Sequence, residues 1–224
     1  MDDVGDGPID DDPIDDDAGC HDGSLAAGEF ASWAIGATEA IAGGRDSDVP
    51  CHGCTACCTS SQFVHIEPDE TETIAHIPAE LLFPSPRAPR GHVLLGYDER
   101  GHCPMLIDGG CSIYAHRPRT CRTYDCRVFA ATGVELDDDQ AAIRTRVRRW
   151  EFTFPGGDDR ARHEAVRAAT RFLRAHRAEL GEESPSNPTR LAVAATRLHG
   201  LFLTGPAPDL EVVRAVLRSR GDRP

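Results

Sequence analysis

The sequence predicts an α+β protein in which a small cysteine-rich module of short strands and turns packs with a mainly helical C-terminal half. Two observations carry this. Eight of the nine cysteines fall into two blocks between residues 51 and 126, among short apolar runs broken by glycine, proline and aspartate. Beyond residue 128 cysteine disappears, and long stretches place apolar residues at helical spacing. The organisation expected is an acidic tail over 1–23, a helix and linker over 24–46, the cysteine module over 47–130 and a helical region over 131–224.

Residues 1–22 hold ten aspartates and no arginine or lysine, including the tandem repeat Pro-Ile-Asp-Asp-Asp at 8–12 and 13–17. Such a run repels itself and has almost nothing to bury, so a disordered, solvated tail is expected, with Cys20 as a free thiol. The formal charge of −13 is mostly this tail; the remainder is near −3 (−13 plus 10). That balance argues against a nucleic-acid or membrane-surface protein. No run approaches the roughly 20 apolar residues of a membrane span. The N-terminus is acidic where an export signal is basic and then apolar, so a cytoplasmic protein is expected.

From residue 24 to 42, Leu25, Ala27, Phe30, Ala31, Ala34, Ile35, Thr38 and Ile41 recur at helical spacing, with Ser24 as N-cap and Gly43-Gly44 as stop. A polar linker at 45–50 leads into the first cysteine block. A strand is expected at 62–66, and a short acidic helix at 69–76 that Pro78 ends. A loop follows at 84–91. Two strands, 92–97 and 104–107, read as a hairpin closed at 98–101. Residues 111–126 should be turns and a helical piece. Asp137 to Gln140 would cap a helix, and 146–154 alternates like a strand. Residues 160–180 form an amphipathic helix with Ala165, Val166, Ala169, Phe172, Leu173, His176 and Leu180 on one face. Asn187-Pro188 opens a second helix to about 203, and Pro208-Asp209 a third to about 219.

The chemistry lies in the cysteines. The first block is Cys51-His52-Gly53-Cys54-Thr55-Ala56-Cys57-Cys58; the second contains Cys103, Cys111, Cys121 and Cys126. Soft ions are held by thiolates, and C-x-x-C lets two sulfurs of one loop reach the same ion. Inert buried thiols would be scattered; four in eight residues are not. In a cytoplasmic chain the cluster reads as metal or redox rather than a disulfide framework. Adjacent Cys57 and Cys58 should diverge, one joining Cys51 and Cys54 while the other turns to a second site or an interior partner. Eight thiols suit two four-thiolate zinc centres, one iron–sulfur cluster with spare ligands, or one zinc site plus structural thiols. The ferredoxin continuation is missing, although Cys103-Pro104 offers a remote Cys-Pro. Arg117, Arg119 and Arg122 bracket Cys121 and would offset the negative charge of thiolates or activate a thiol.

Cys51 to Cys58, Gly101-His102-Cys103-Pro104-Met105-Leu106, Cys111-Ser112-Ile113-Tyr114 and Arg117 to Cys126 resemble the YkgJ-type cysteine-cluster family over roughly residues 47–130. The resemblance implies a zinc- or iron-chelating domain with Cys51, Cys54, Cys57, Cys58, Cys103, Cys111, Cys121 and Cys126 as metal residues, at least four of them ligands. The same signature occurs in flagellin lysine N-methylases, where it implies an iron–sulfur cluster, such as a 4Fe–4S cluster, and a methyl donor. This chain is short for that enzyme and lacks a Gly-rich strand-to-helix fingerprint. The expected cofactor is zinc or iron, the expected role metal binding, and the alternatives a protein-modifying enzyme or a thiol redox sensor.

Among other candidates, His52 and His102 flank block cysteines and suit solvent-facing or supporting roles. His65, His76, His92 and His116 have no partner legible in the sequence. Tyr114, Tyr124 and Phe129 are expected to pack over the cluster. Asp125 should pair with Arg122 or Arg127 rather than act as a base. Arg160, Arg167, Arg171 and Arg174 make a basic stripe that reads as a solvated face, with RNA, an acidic partner or the chain's own tail as alternatives. Beyond the metal ion, a protein partner would dock on the helical half. No phosphate loop, Ser-His-Asp order or H-E-x-x-H helix is present.

Overall fold

The computed structural model describes residues 23–219 apart from His52 and Arg87. The aspartate repeat, Cys20 and His52 therefore lie outside the described residues. The architecture is α+β, with short sheets around the cysteine blocks and helices dominating the C-terminal half.

The segment expected as one helix from residue 24 divides in two. Strand β1 (Leu25–Glu29) precedes helix α1 (Phe30–Ile41). Helical spacing continued through 25–29, but this stretch has a long-range partner. Leu25 N donates to Arg149 O at 2.7 Å, and β1 runs parallel to a strand formed by Trp150–Thr153. Gly28, at φ +92°, takes up the irregularity in that pairing.

Between the blocks, β2 (Val64–Ile66), β3 (Leu82–Pro84) and β4 (Val93–Leu95) form an antiparallel sheet in the order β2-β4-β3, with α2 (Thr71–Ala75) in the connection. The hairpin expected between 92–97 and 104–107 is not formed. The turn at 98–101 exists, but β4 is used on both edges by β2 and β3. Instead β5 (Leu106–Ile107) pairs with β6 (Gly110–Cys111) across Asp108-Gly109, both at positive φ. Asp-Gly is the dipeptide this two-residue turn favours, and it was the signal to read.

Helix α3 (Arg119–Thr123) follows Pro118, and α4 (Arg127–Thr132) follows Cys126. Gly133 ends α4 at φ +65°, a left-handed conformation that favours glycine, and the movable end of the Arg167 side chain lies where a Cβ would stand. Next come α5 (Ala141–Val147) and β7 (Trp150–Thr153), the partner of β1. The long amphipathic helix is α6 (Gly157–Ala175); α7 (Arg177–Leu180) is a separate short turn. Asn187 caps α8 (Pro188–Leu198), accepting from Arg190 N, and Asp209 caps α9 (Leu210–Arg218), accepting from Glu211 N. Both follow from polar oxygens satisfying first-turn amides. Asp159 secures two helix starts, accepting from Ala31 N at 2.9 Å and Gly156 N at 2.8 Å.

Two cores matter for the cysteines. One gathers Phe30, Trp33, Phe129, Ile143, Trp150 and Val166 from α1, α4, α5, β7 and α6. The other gathers Val64, Ile66, Ile77, Leu95, Met105 and Ile113 around the three-stranded sheet. A third core joins α6, α8 and α9. Among the described residues, no helix is long and apolar enough to cross a membrane.

Candidate metal centre

Backbone hydrogen bonds knit the two blocks together. Cys54 N donates to Cys51 O at 3.0 Å, closing the first C-x-x-C loop, whose Gly53 sits at φ +71°. Thr59 N donates to Thr55 O at 3.0 Å, closing a turn at the end of that block, and Ser60 Oγ donates to Ala56 O at 2.7 Å. The chain then meets the second block edge to edge. Ser61 N donates to Gly101 O at 2.9 Å and Cys103 N to Cys58 O at 2.7 Å. Asp98 fixes the turn before Cys103, accepting from Arg100 N at 2.9 Å and His102 N at 2.8 Å. Those amide bonds, led by His102, hold its carboxyl below the ordinary value. His102 thus supports the turn through its backbone.

The eight thiols sort into two groups of four. Cys51, Cys54, Cys57 and Cys126 line one small cavity with Tyr124 and Trp150, and Cys54, Cys57 and Cys126 belong to the first core. Cys103, Cys111 and Cys121 pack on the second core, and Cys58 lies within electrostatic reach of all three. Cys57 lines that cavity and Cys58 does not; Cys58 feels Cys103 and Cys111 most, with Cys54 and Cys51 of the first group also in reach. All eight are free cysteines. Among the described residues no three of the sulfurs lie within 4.8 Å of one another. Bonds of about 2.3 Å to one zinc ion set sulfurs roughly 3.8 Å apart, so filling such a site would draw a group inward.

Burial makes these thiols costly to ionise alone. It pushes Cys58 up to about 12, with the neighbouring charges of Cys103 and Cys111 adding to the effect. Cys126 also rises to about 12, chiefly through burial, although a bond from Trp150 works the other way. Burial likewise raises Cys51, Cys57, Cys103 and Cys121. Clustered sulfurs that resist ionisation by themselves are a donor set that a soft cation would stabilise.

The polar surroundings differ from the expected arginine bracket. Arg117 alone of the three faces both groups, feeling the charges of Cys51 and Cys121. Its guanidinium lies 4.0 Å from the Tyr114 ring centroid, and its buried Nε and Nη1 have no hydrogen-bond partner. Arg119 is instead committed to Glu67 and to Asp69, the latter at 2.9 Å. Arg122 pairs with Asp46 at 3.4 Å. The Trp150 indole Nε1–H donates to Cys126 Sγ at 3.2 Å. The ring of Trp150 is covered by Arg146, 5.0 Å from its centroid.

Asp125 pairs with Arg127, as expected. It is buried and accepts from Arg127 Nη2 at 2.7 Å and from Trp33 Nε1 at 3.0 Å. That network ties α1 and the 45–50 linker to the residue before Cys126. Phe129 and Tyr124 pack in the first core, the Tyr124 hydroxyl buried without a hydrogen-bond partner. Tyr114 does not cover the cluster; it is 43% exposed and stacks under Arg117. On the α6 stripe, Arg171 pairs with Glu164 and Arg167 donates to His163, so part of it is satisfied within the fold.

Two clusters of free thiols are the kind of donor set a soft metal ion takes. Residues 50–145 match the family model described as "CxxCxxCC: Putative zinc- or iron-chelating domain". The matched stretch contains all eight clustered thiols and ends within α5. No curated protein and no solved structure matches the chain.

Proposed function

We propose that this protein binds two soft-metal centres, one through Cys51, Cys54, Cys57 and Cys126 and the other through Cys58, Cys103, Cys111 and Cys121. The observation that carries this reading is the division of eight thiols into two sets of four, with adjacent Cys57 and Cys58 assigned to different sets. Zinc and iron both suit an all-thiolate set. Each set takes donors from both blocks, so a bound ion supplies a cross-link between segments distant in sequence. Closed four-thiolate sites of this type act as folding devices, and a structural zinc contributes on the order of 10 kcal/mol.

In this reading residues 47–130 are the metal module, 24–46 dock it to the first core, and the helices of 131–224 are its scaffold. A reducing compartment, the cytoplasm, would keep its thiols available. Arg117 supplies positive charge between the two sets, and Trp150 supplies a donor to the sulfur of Cys126. The experiment is purification without oxygen, followed by a visible spectrum and counts of zinc, iron and sulfide per chain. About two zinc ions in a colourless protein support two mononuclear centres. About eight irons with equal sulfide in a brown protein support two clusters. Metal at trace levels with all thiols titratable overturns the reading, and so does loading of only one set.

A further inference from the structure

A second donor set lies outside the thiol groups. Glu72, His76 and His116 each offer a ligand atom, and these atoms all lie within 4.8 Å of one another. Glu72 is in α2 and His76 is its C-cap, one helical turn on, which puts both on one face. His116 closes the short 3-10 turn Tyr114–His116, far along the chain. Buried neighbours hold the two segments together. Ile77, just after His76, and Ile113, just before the turn, share the second core. The imidazoles stack with centroids 3.8 Å apart and planes 11° from parallel, so one ring must turn for both lone pairs to reach a single ion.

A further feature singles out His76. Its Nδ1 is 2.7 Å from Glu72 O. A carbonyl only accepts, so Nδ1 carries the proton and Nε2 keeps its lone pair. A backbone carbonyl that fixes the tautomer in this way is the usual partner of a metal-binding histidine.

We propose that Glu72, His76 and His116 form an exposed site for a borderline divalent cation of the first transition row, such as zinc or nickel. Two imidazoles and one carboxylate match these ions, whereas calcium and magnesium prefer all-oxygen sets and copper(I) prefers sulfur. Three protein donors leave coordination positions for water. The site is distinct from the thiol groups and stands whether or not those groups hold metal.

The test uses the whole protein purified without oxygen, with its metal content already counted. Zinc ion is added in equilibrium dialysis while histidine ring C–H signals are followed by NMR. The expected result is further zinc uptake, with the His76 and His116 signals moving together. H76Q and H116Q should each weaken that uptake by more than the roughly tenfold that losing an outer hydrogen-bond partner costs. All three side chains are solvent-accessible, so circular dichroism should show these variants folded. The proposal is overturned if no zinc is taken up beyond that already held, or if uptake is unchanged in the H76Q/H116Q double variant. Failure of the thiol reading would be seen separately, in the metal content before zinc is added.

Discussion

Cys57 and Cys58 are consecutive in the chain and pack mainly against different thiols. Cys57 is held in the core of α1, α4 and β7 beside Cys126. The backbone carbonyl of Cys58 receives the amide of Cys103, and its thiol faces Cys103, Cys111 and Cys121. Consecutive side chains cannot easily converge on one point, so under the proposed two-centre reading the dipeptide would divide the two sites.

Serine at either position should therefore remove a different centre. Cys57→Ser should lose the metal shared with Cys51, Cys54 and Cys126, and Cys58→Ser the metal shared with Cys103, Cys111 and Cys121. Metal analysis should give half the wild-type content for each. The double variant should hold essentially none. Equal, complete loss from both single variants would mean one joint centre.

Trp150→Phe keeps the aromatic packing and deletes the only N–H the ring donates to Cys126 Sγ, at 3.2 Å. A hydrogen bond of this kind contributes about 1 kcal/mol net, so folding should be weakened only modestly. Metal release to a competing chelator should quicken by roughly tenfold at the Cys126 group alone. Release from the group containing Cys121 serves as the internal control.

Much of this arrangement was legible in the residues. The spacing of the blocks indicated a soft-metal donor set, and the crowding of two adjacent cysteines suggested that Cys57 and Cys58 point different ways. The N-caps Asn187 and Asp209 were readable because they act within one turn of chain. What the sequence hid depends on partners far away. Residues 25–29 carry a helical pattern, yet the free edge of Trp150–Thr153 draws them into a parallel strand. Arg119 looks like a neighbour of Cys121 in one dimension, but Glu67 and Asp69 take its charge in three. The stack of His76 on His116 had no local signal, since packing of Ile77 and Ile113 alone brings the two together.

Arg117 is expected to serve both centres. Replacing it with Gln removes the positive charge that Cys51 and Cys121 both feel. Thiolate sets without that charge should bind metal less tightly, by on the order of tenfold to a hundredfold at each centre. The measurement is chelator competition on R117Q and, as a control, R119Q. The control should leave metal affinity unchanged, because Arg119 is engaged elsewhere.

The Asp125–Arg127 pair should be the costliest polar contact to break. Both side chains are 5% exposed, and Asp125 also accepts from Trp33 and Ser47. Asp125→Asn leaves the guanidinium buried with its main counter-charge gone, at a cost of about 3–5 kcal/mol. The melting temperature of the metal-loaded protein should fall on the order of 10 °C. Asp48→Asn touches the same guanidinium from a side chain that is 66% exposed, and should cost less than about 1 kcal/mol.

Acid should weaken the helical half through two histidines. Burial holds His199 below its ordinary value of 6.5, and Arg162 adds to the effect. His163 is lowered in the same way, first by burial and then by Arg167. Each ring nitrogen facing an arginine must accept, because guanidinium has no acceptor: Arg167 Nε donates to His163 Nε2 at 3.3 Å, and Arg162 Nη1 lies 3.5 Å from His199 Nε2. Protonation abolishes that acceptance. The unfolded chain, titrating near 6.5, then binds more protons than the folded one, so stability rises with pH across this range. The contribution is complete above about pH 6.5 and is lost as pH falls toward the lower folded values. Denaturant titrations from pH 5 to 7.5 should show this slope, and the H163Q/H199Q variant should flatten it. An unchanged slope in that variant would place the acid sensitivity in other groups.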